Sequence, residues 1–419
     1  MPSLPPTPAT APPDPDRRTW RPEFWSGFVV RVARTEATGG VVLSIAVVIA
    51  FVWANTSARS YALVWNHPLG FSLLPDTRSV INSALMTLFF FAVGLEVGRE
   101  RACGSLADNR TAALPVLAAF GGMAGAALVY LLVALAGGAG AAVSQGWGIP
   151  MATDVAFTLG ALALLGNRVP SGLRVFVLAL AVADDIASVG VLAVVSSSHV
   201  QLFFVLAAGV VLAAGVIIRR RYPTQWWPWL ILLVLEWWLL ARAGVEPTLA
   251  GAFIGIMVPC GAPAPPLRGT RSGVAPSTKL ETVMHPISTF AVLPLFMLAN
   301  TGVVLVPYLF ENSSSRSVIV SVVAARIVGK MAGITIAAAI VVRVGIARLP
   351  EEITWAHMAG AATLCGMGIT VPLLFATAAF KGYPRLVSAA QIGLLLGTVI
   401  AFAIGSTVVV WQSRRSRAD

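Results

Sequence analysis

Two adjacent carboxylates, Asp184 and Asp185, lie in the middle of a long apolar segment, residues 175–195, that contains no other ionisable side chain. An ionised carboxylate near the centre of a bilayer costs roughly 2.5–3.5 kcal/mol on insertion scales. Two neighbouring carboxylates cost more, because like charges oppose each other's ionisation. The pair therefore indicates a site that binds a cation or carries protons within a membrane.

The composition predicts that membrane helices position this pair. The chain is 57% hydrophobic and 11% charged, whereas soluble proteins have about 25% charged residues. Only helices and closed barrels span lipid, and the apolar runs have the length of about 20 residues that a spanning helix needs. We therefore predict an all-α polytopic membrane protein with about twelve transmembrane helices. The predicted spans are 37–57, 81–99, 112–137, 148–166, 174–196, 200–218, 226–244, 247–260, 284–306, 317–342, 355–379 and 387–411.

The charge distribution predicts the orientation of these helices. With an even number of spans both termini lie on one side, and most of the 29 Lys and Arg residues fall on that side. The positive-inside rule then places both termini in the cytoplasm, so the net charge of +11 does not indicate nucleic-acid binding. We expect a disordered cytoplasmic tail at 1–20, a transmembrane domain at 21–412 and a cytoplasmic C-terminal tail at 413–419.

A lysine in the tenth predicted span is unusual for this chain. Of the 29 basic residues the lysines are Lys279, Lys330 and Lys381, and Lys330 lies in mid-span. Arginine keeps its proton in proteins, whereas a buried lysine shifts its pKa readily. Lys330 is therefore either a cation that can release its proton or a static counter-ion for a nearby aspartate.

Two of the predicted spans are interrupted. Pro150, followed by Thr153 and Asp154, falls in the fourth span, and the eleventh contains a glycine-rich stretch at 364–372. Proline removes a backbone donor, and polar side chains supply oxygens to freed backbone groups or to a cation. Paired broken spans are typical of transporter sites. The alternative is that the glycines only permit close helix packing.

Six segments, taken together and in order, resemble the NhaA family of bacterial sodium/proton antiporters over residues 35–410. The resemblance implies inverted repeats with two discontinuous crossing helices. It also implies extrusion of sodium or lithium in exchange for protons by alternating access. The segments are 94–100, 152–157, 178–187, 285–300, 329–330 and 364–368.

The resemblance also implies roles for individual residues. Asp185 is similar to the family's principal sodium-binding carboxylate, and Asp184 is similar to its neighbour, which pairs with the membrane lysine, here Lys330. Both aspartates are then expected as Na⁺ ligands. Thr153 and Asp154 match the break of the fourth span, where a carboxylate offsets positive helix ends and the lysine offsets negative ones. Such a site exchanges two protons for one sodium ion and is electrogenic.

A second group of residues resembles the family's pH-response region near the cytoplasmic face. Histidine is the side chain that ordinarily titrates near neutrality. The alternative for these residues is a solvated ion-pair cluster with an interfacial histidine that caps a helix end. The residues are Glu96, Arg99, Glu100, Glu281 and His285.

Three charges depart from the family pattern and are expected to modify the site. Arg326 precedes Lys330 by four residues and so lies on the same helix face. A guanidinium in mid-membrane is costly, so we expect an acidic partner, either Asp184 or Glu236, itself an unexpected charge in the seventh span. Glu246, before the eighth span, stands where a different residue is common and could shift the pH profile.

Other function classes fit less well. An intramembrane aspartyl protease needs two carboxylates from separate helices, usually in a Gly-x-Gly-Asp context, which neither Asp154 nor Asp184 has. A passive cation channel or a non-transporting sensor on the same fold is the remaining alternative. We expect a secondary transporter rather than an enzyme.

The resemblance sets the expected partners and location. Na⁺, Li⁺ and H⁺ are the expected transported ions, membrane lipid is the surrounding partner, and neither a cofactor nor nucleic acid is expected. Cys103, Cys260 and Cys365 lack the spacing of a metal site. Dimerisation is common in the family that the chain resembles, so a homodimer is one possible assembly. We expect the protein in the bacterial inner membrane, with a role in pH and sodium homeostasis.

Overall fold

The computed structural model describes residues 22–103, 109–138, 140–196, 201–260, 275–349 and 353–415. The predicted N-terminal tail at 1–20 lies outside these residues. Of the predicted C-terminal tail, residues 413–415 continue the last helix and 416–419 lie outside the described residues.

The described residues form helices joined by short turns, and their β-structure is one isolated bridge between Pro68 and Asp76. The prediction of an all-α fold is therefore confirmed. The α-helices are α1 (Pro22–Thr56), α2 (Ala58–Trp65), α3 (Thr77–Ser79), α4 (Met86–Cys103), α5 (Asn109–Ala136), α6 (Ala141–Ser144), α7 (Val155–Leu164), α8 (Ser171–Ser196), α9 (Leu202–Arg221), α10 (Trp227–Ala243), α11 (Leu249–Met257), α12 (Pro276–Ile287), α13 (Leu293–Asn300), α14 (Tyr308–Glu311), α15 (Ser313–Ala324), α16 (Lys330–Arg343), α17 (Trp355–Leu364), α18 (Thr370–Ala379) and α19 (Pro384–Arg415).

Eight helical segments of the described chain are long and apolar enough to cross a membrane, and they coincide with eight of the predicted spans. The other four predicted spans consist of shorter helices, namely α7, α10, α11 and the pair α17 and α18. Among the eight, the segment Gly172–Ala193 within α8 is the most deeply enclosed, with 72% of its most apolar window buried. The helix with the two aspartates is thus at the centre of the molecule.

The two interrupted spans meet at their breaks. The backbone of Asp154 is extended and α7 begins directly after it, while residues 365–369 separate α17 from α18. The Asp154 amide donates to the carbonyl of Met367 at 3.2 Å, and the Thr153 hydroxyl donates to the carbonyl of Cys365 at 2.9 Å. Lipid offers no hydrogen-bond partners to the backbone groups exposed at a helix break. Here some of these groups form hydrogen bonds with the other broken span instead.

The helix that contains Lys330 packs closely on α5 through glycines. A Cβ added at Gly125 would lie 2.5 Å from the carbonyl oxygen of Gly329, and one at Gly122 would lie 2.6 Å from Ile334. Small residues let membrane helices approach to backbone contact. One π-helical turn, Ala325–Gly329, joins α15 to α16 immediately before Lys330. Such π-turns often mark functional sites, since they redirect the following side chains.

Candidate ion-binding site

Asp184 and Lys330 form a buried ion pair between α8 and α16. Lys330 Nζ lies 2.6 Å from Asp184 Oδ2, and the two side chains are 1% and 0% exposed. An ion pair this deeply buried is stable only when both charges are well matched and hydrogen-bonded. The structure thus brings together the aspartate and the lysine that the sequence analysis paired.

Lys330 also connects this pair to both broken spans. Its Nζ donates to the Thr153 hydroxyl at 2.8 Å, and that hydroxyl donates in turn to the carbonyl of Cys365 at 2.9 Å. Cys365 directly follows the carboxyl end of α17, where helix carbonyls carry partial negative charge. Lys330 therefore reaches this negative end through Thr153.

Asp185 points away from the ion pair and keeps an acceptor oxygen available. Adjacent residues on a helix point about 100° apart, so Asp184 and Asp185 face different neighbours. Asp185 is 7% exposed. Within the described part of the chain, Oδ1 of Asp185 and Oδ1 of Asp184 have no hydrogen-bond partner. Carboxylate oxygens are the ligands that hard cations prefer, so both atoms are available to a cation.

The charges around Asp185 favour a cation. The groups whose charges act on it are Asp184, Asp154, Glu96 and Lys330. Carboxylates outnumber the lysine among these groups, and a negative potential in a low-dielectric interior attracts cations. Glu96 lies on α4, the helix that also contains Arg99 and Glu100.

Asp154 lies at the amino ends of two helices. It precedes α7 as its N-cap residue, and its Oδ2 accepts a hydrogen bond of 2.8 Å from the hydroxyl of Thr370, the first residue of α18. Helix amino ends carry partial positive charge that a carboxylate stabilises. The sequence analysis missed Thr370, although a hydroxyl residue at a helix start after a glycine-rich break is a recognisable signal.

The expectation that Arg326 pairs directly with Asp184 or Glu236 is wrong. Arg326 is 0% exposed, and its Nε donates instead to the carbonyl of Gly366 at 2.6 Å. Among the described residues no carboxylate forms an ion pair with it, because Asp184 is engaged with Lys330. Glu236 lies on α10, which packs mainly against α9 and α11. The Gly366 carbonyl, beyond the end of α17, lies at the negative end of that helix and accepts from the guanidinium in place of a carboxylate.

Gly368 keeps the crossing of the two breaks open. A Cβ at this position would lie 2.8 Å from the nitrogen and 2.9 Å from the Cβ of Asp154, and its φ of +150° disfavours other residues. We expect Gly368→Ala to lower the free energy of unfolding by about 2–4 kcal/mol. Thermal unfolding of the purified protein measures this. Gly209→Ala on α9, whose added Cβ would meet nothing within 4 Å, is the control, and equal stability of the two variants would contradict the prediction.

Three of the predicted pH-response residues, Arg99, Glu100 and Glu281, form ion pairs between α4 and α12. Arg99 Nε lies 3.3 Å from Glu281 Oε1, and Arg99 Nη2 lies 3.4 Å from Glu100 Oε1. His285 is one of the charges that act on Glu281. This arrangement places a cation between two carboxylates from different helices.

Replacing that cation should move the pH range of activity. We expect Arg99→Gln to shift the pH of half-maximal activity by about half a unit or more to the alkaline side, because carboxylates without a neighbouring cation lose their protons only at higher pH. The maximal rate should stay within about twofold. Activity measured from acid to alkaline pH tests this. Arg101→Gln, exposed on the same helix, is the control, and an unmoved profile in Arg99→Gln would contradict the prediction.

Glu236 and Glu246 are not brought to the carboxylate pair. Glu236 is buried on α10, and neither of its carboxylate oxygens has a hydrogen-bond partner among the described residues. Glu246 lies between α10 and α11 and accepts from the Thr248 hydroxyl at 3.3 Å. Burial raises the pKa of the Glu246 carboxyl, while Thr248 and the charge of Lys381 act in the opposite direction.

Comparison with known proteins gives a consistent result. The family model described as Na⁺/H⁺ antiporter 1 matches residues 30–409. Na(+)/H(+) antiporter NhaA 3 of Frankia alni is 36% identical over 408 residues, which cover 90% of this chain and 86% of the relative. Na(+)/H(+) antiporter NhaA 1 of Pseudomonas syringae pv. syringae is 38% identical over 392 residues, covering 93% and 96%. The chain therefore belongs to the Na⁺/H⁺ antiporter 1 family.

Proposed function

We propose that this multi-pass membrane protein exchanges sodium for protons, and that Asp185 and Asp184 form the site for which the two ions compete. The observation that carries this proposal is the buried Asp184–Lys330 pair, with unpartnered carboxylate oxygens on both aspartates. A carboxylate holds a proton or a hard cation, but a protonated carboxyl no longer attracts the cation. Binding of one ion therefore displaces the other.

Sodium from the cytoplasm binds the deprotonated site in this proposal. Asp185 supplies the principal ligand, and Asp184 adds an oxygen while its bond to Lys330 weakens. A buried lysine without its counter-ion gives up its proton more readily. One proton from Asp185 and one from Lys330 then leave for each sodium that enters, which gives the exchange of two protons for one sodium ion.

This exchange moves one net charge across the membrane in each cycle. A charge that crosses the membrane potential gains about 2.3 kcal/mol per 100 mV. Proton entry driven by that potential extrudes sodium from the cytoplasm against its gradient. The loaded site faces first one side and then the other, and external protons release the sodium.

The crossing of the broken spans is the scaffold that keeps this site intact while it changes sides. Asp154 offsets the amino ends of α7 and α18, and Thr153 joins Lys330 to the carboxyl end of α17. The unwound segments supply backbone groups at the site, as in other transporters with discontinuous helices. The ion-pair cluster of Arg99, Glu100 and Glu281 adjusts the exchange activity to cytoplasmic pH. It acts through Glu96, whose charge acts on Asp185.

The remaining parts of the proposal concern the cellular setting. We propose that both termini lie in the cytoplasm, because the side of the chain that is predicted to contain them is the basic one, and that the protein lies in a bacterial inner membrane. Lithium, also a hard cation, is expected as a second substrate, and a homodimer is expected as the assembly. The role is then sodium and pH homeostasis.

Everted vesicles from a bacterial strain without endogenous antiporters test the proposed exchange. With the interior acidified and a pH-sensitive dye quenched, added sodium or lithium should restore fluorescence, whereas potassium should not. Vesicles without the protein are the control. A passive channel would admit sodium without moving protons, and a sensor would move neither, so the absence of dequenching at every pH would contradict the proposal.

A further inference from the structure

Arg326 occupies a space that three glycines leave open. Gly366 and Gly368 lie in the break of the eleventh span and Gly397 lies on α19. A Cβ at Gly368 would lie 3.1 Å from Nη2 of Arg326, and one at Gly397 would lie 3.3 Å from its Cδ. A Cβ at Gly366 would meet the backbone carbonyl of Arg326. Larger residues at these three positions would therefore crowd the backbone, the side-chain stem or the guanidinium of Arg326.

The guanidinium contacts the carboxyl end of α17 directly. Its Nε donates to Gly366, two residues after that helix ends at Leu364. Lys330 reaches the same end only through the Thr153 hydroxyl. Carboxyl ends of helices attract cations. Arg326 contacts the carboxyl end of α17 directly, whereas Lys330 does so through one intervening hydroxyl. An arginine keeps its charge throughout, because it does not deprotonate in proteins.

Arg326 and Asp154 both lie next to Gly368. A Cβ added at Gly368 would lie 3.1 Å from Nη2 of Arg326 and 2.9 Å from the Cβ of Asp154. Nη1 and Nη2 have no hydrogen-bond partner among the described residues. The acidic groups whose charges act on Arg326 are Asp154 first and then Asp184. Asp154 and Asp184 are therefore the acidic residues that compensate this buried cation, with Asp154 first.

The direct contacts of the buried charges fall into two groups, which are linked by the charge of Asp154 on Asp185 and that of Asp184 on Arg326. Arg326 donates to the Gly366 carbonyl at the crossing. Lys330 in turn bonds to Asp184. One group contains the two aspartates of α8 with Lys330, and the other contains Arg326 with Asp154 at the crossing.

We propose that Arg326 and Asp154 are a permanent charge pair that holds the crossing of the broken spans, and that Arg326 is a positioning residue for transport. Asp154 offsets the helix amino ends, Arg326 offsets the carboxyl end of α17, and each compensates the other. Lys330 is then not the sole cation at the carboxyl end of α17 and can change its protonation without loss of the crossing. The transport part of this inference rests on the proposed function.

A double-mutant cycle tests the pair. Arg326→Gln keeps a hydrogen-bond donor without the charge, and Asp154→Asn keeps an acceptor for Thr370. Because each single variant leaves one buried charge uncompensated, we expect each to lower the melting temperature by about 5 °C or more and the maximal exchange rate about tenfold. The double variant, which has neither charge, should regain more than half of both losses.

Further variants separate a charge pair from simple packing. Arg326→Lys, which keeps the charge, should stay within about threefold of the wild-type rate, whereas Arg326→Met should behave like Arg326→Gln. The KM for sodium should change by less than about twofold in the Arg326 variants, since the proposed sodium ligands are Asp184 and Asp185. Arg343→Gln, exposed near the end of the same helix, is the matched control.

Additive losses in the double variant would overturn the inference, as would unchanged stability in Arg326→Gln. The melting temperatures require no transport and decide on the pair by themselves. Absence of sodium-driven proton movement in wild-type vesicles would instead contradict the proposed function. The two failures are therefore distinguishable.

Discussion

Asp185→Asn is expected to lower sodium-driven proton exchange about a hundredfold or more while the purified protein keeps its melting temperature. Asparagine retains the size and one acceptor oxygen but lacks the charge that binds a hard cation. Losing that charge costs sodium binding about 2.7 kcal/mol or more, which corresponds to this factor. Stability should not fall, because Oδ1 of Asp185 has no hydrogen-bond partner among the described residues and a neutral side chain removes like-charge repulsion from Asp184.

Dequenching in everted vesicles measures the exchange, calorimetry measures sodium binding, and thermal unfolding measures the melting temperature. Glu236→Gln is a matched control, since Glu236 is also a buried membrane carboxylate but lies on α10, away from the pair. Its exchange rate should stay within about twofold of wild type. Exchange by Asp185→Asn at the wild-type rate would show that the sodium site lies elsewhere.

Lys330→Ala should have the largest effect on stability and should also remove the net charge movement. Asp184 is 0% exposed and would lose its counter-ion at 2.6 Å. Removing one partner of a buried ion pair typically lowers the free energy of unfolding by about 3–5 kcal/mol. The double variant with Asp184→Asn should regain most of that loss, because no uncompensated charge remains.

The charge movement distinguishes the two interpretations of Lys330. If Lys330 releases a proton in each cycle, any exchange left in Lys330→Ala should be insensitive to membrane potential. Reversal potentials in proteoliposomes measure this, with Lys279→Ala, an exposed lysine, as the control. An unchanged reversal potential in Lys330→Ala would mean that this lysine is only a static counter-ion.

The membrane helices could be predicted from the sequence because lipid imposes one strong requirement. Every spanning helix needs a long apolar run, and eight runs were long enough to give eight described helices at the expected positions. The interrupted spans were also recognisable, since Pro150 and the glycine-rich stretch at 364–368 leave backbone groups unpaired. Periodicity does not give the contacts between these breaks, such as Asp154 with Thr370.

The ion pair and the position of Arg326 illustrate what a sequence does and does not determine. Asp184 and Lys330 are two buried charges that require a partner of opposite sign, so their pairing could be expected. Arg326 was expected to follow the same rule, but the carbonyl of Gly366 accepts from it. A backbone carbonyl beyond a helix end has no side-chain signature, and its location depends on how α17 and α16 are packed.

The central claim is that sodium and protons compete for the same carboxylates, and calorimetry of sodium binding tests it most directly. Purified protein is titrated with sodium in buffers of different ionisation enthalpy, so that the heats report the number of protons released. The account predicts release of protons on sodium binding in wild type and neither binding nor release in Asp185→Asn. Sodium binding without proton release at every pH would contradict it.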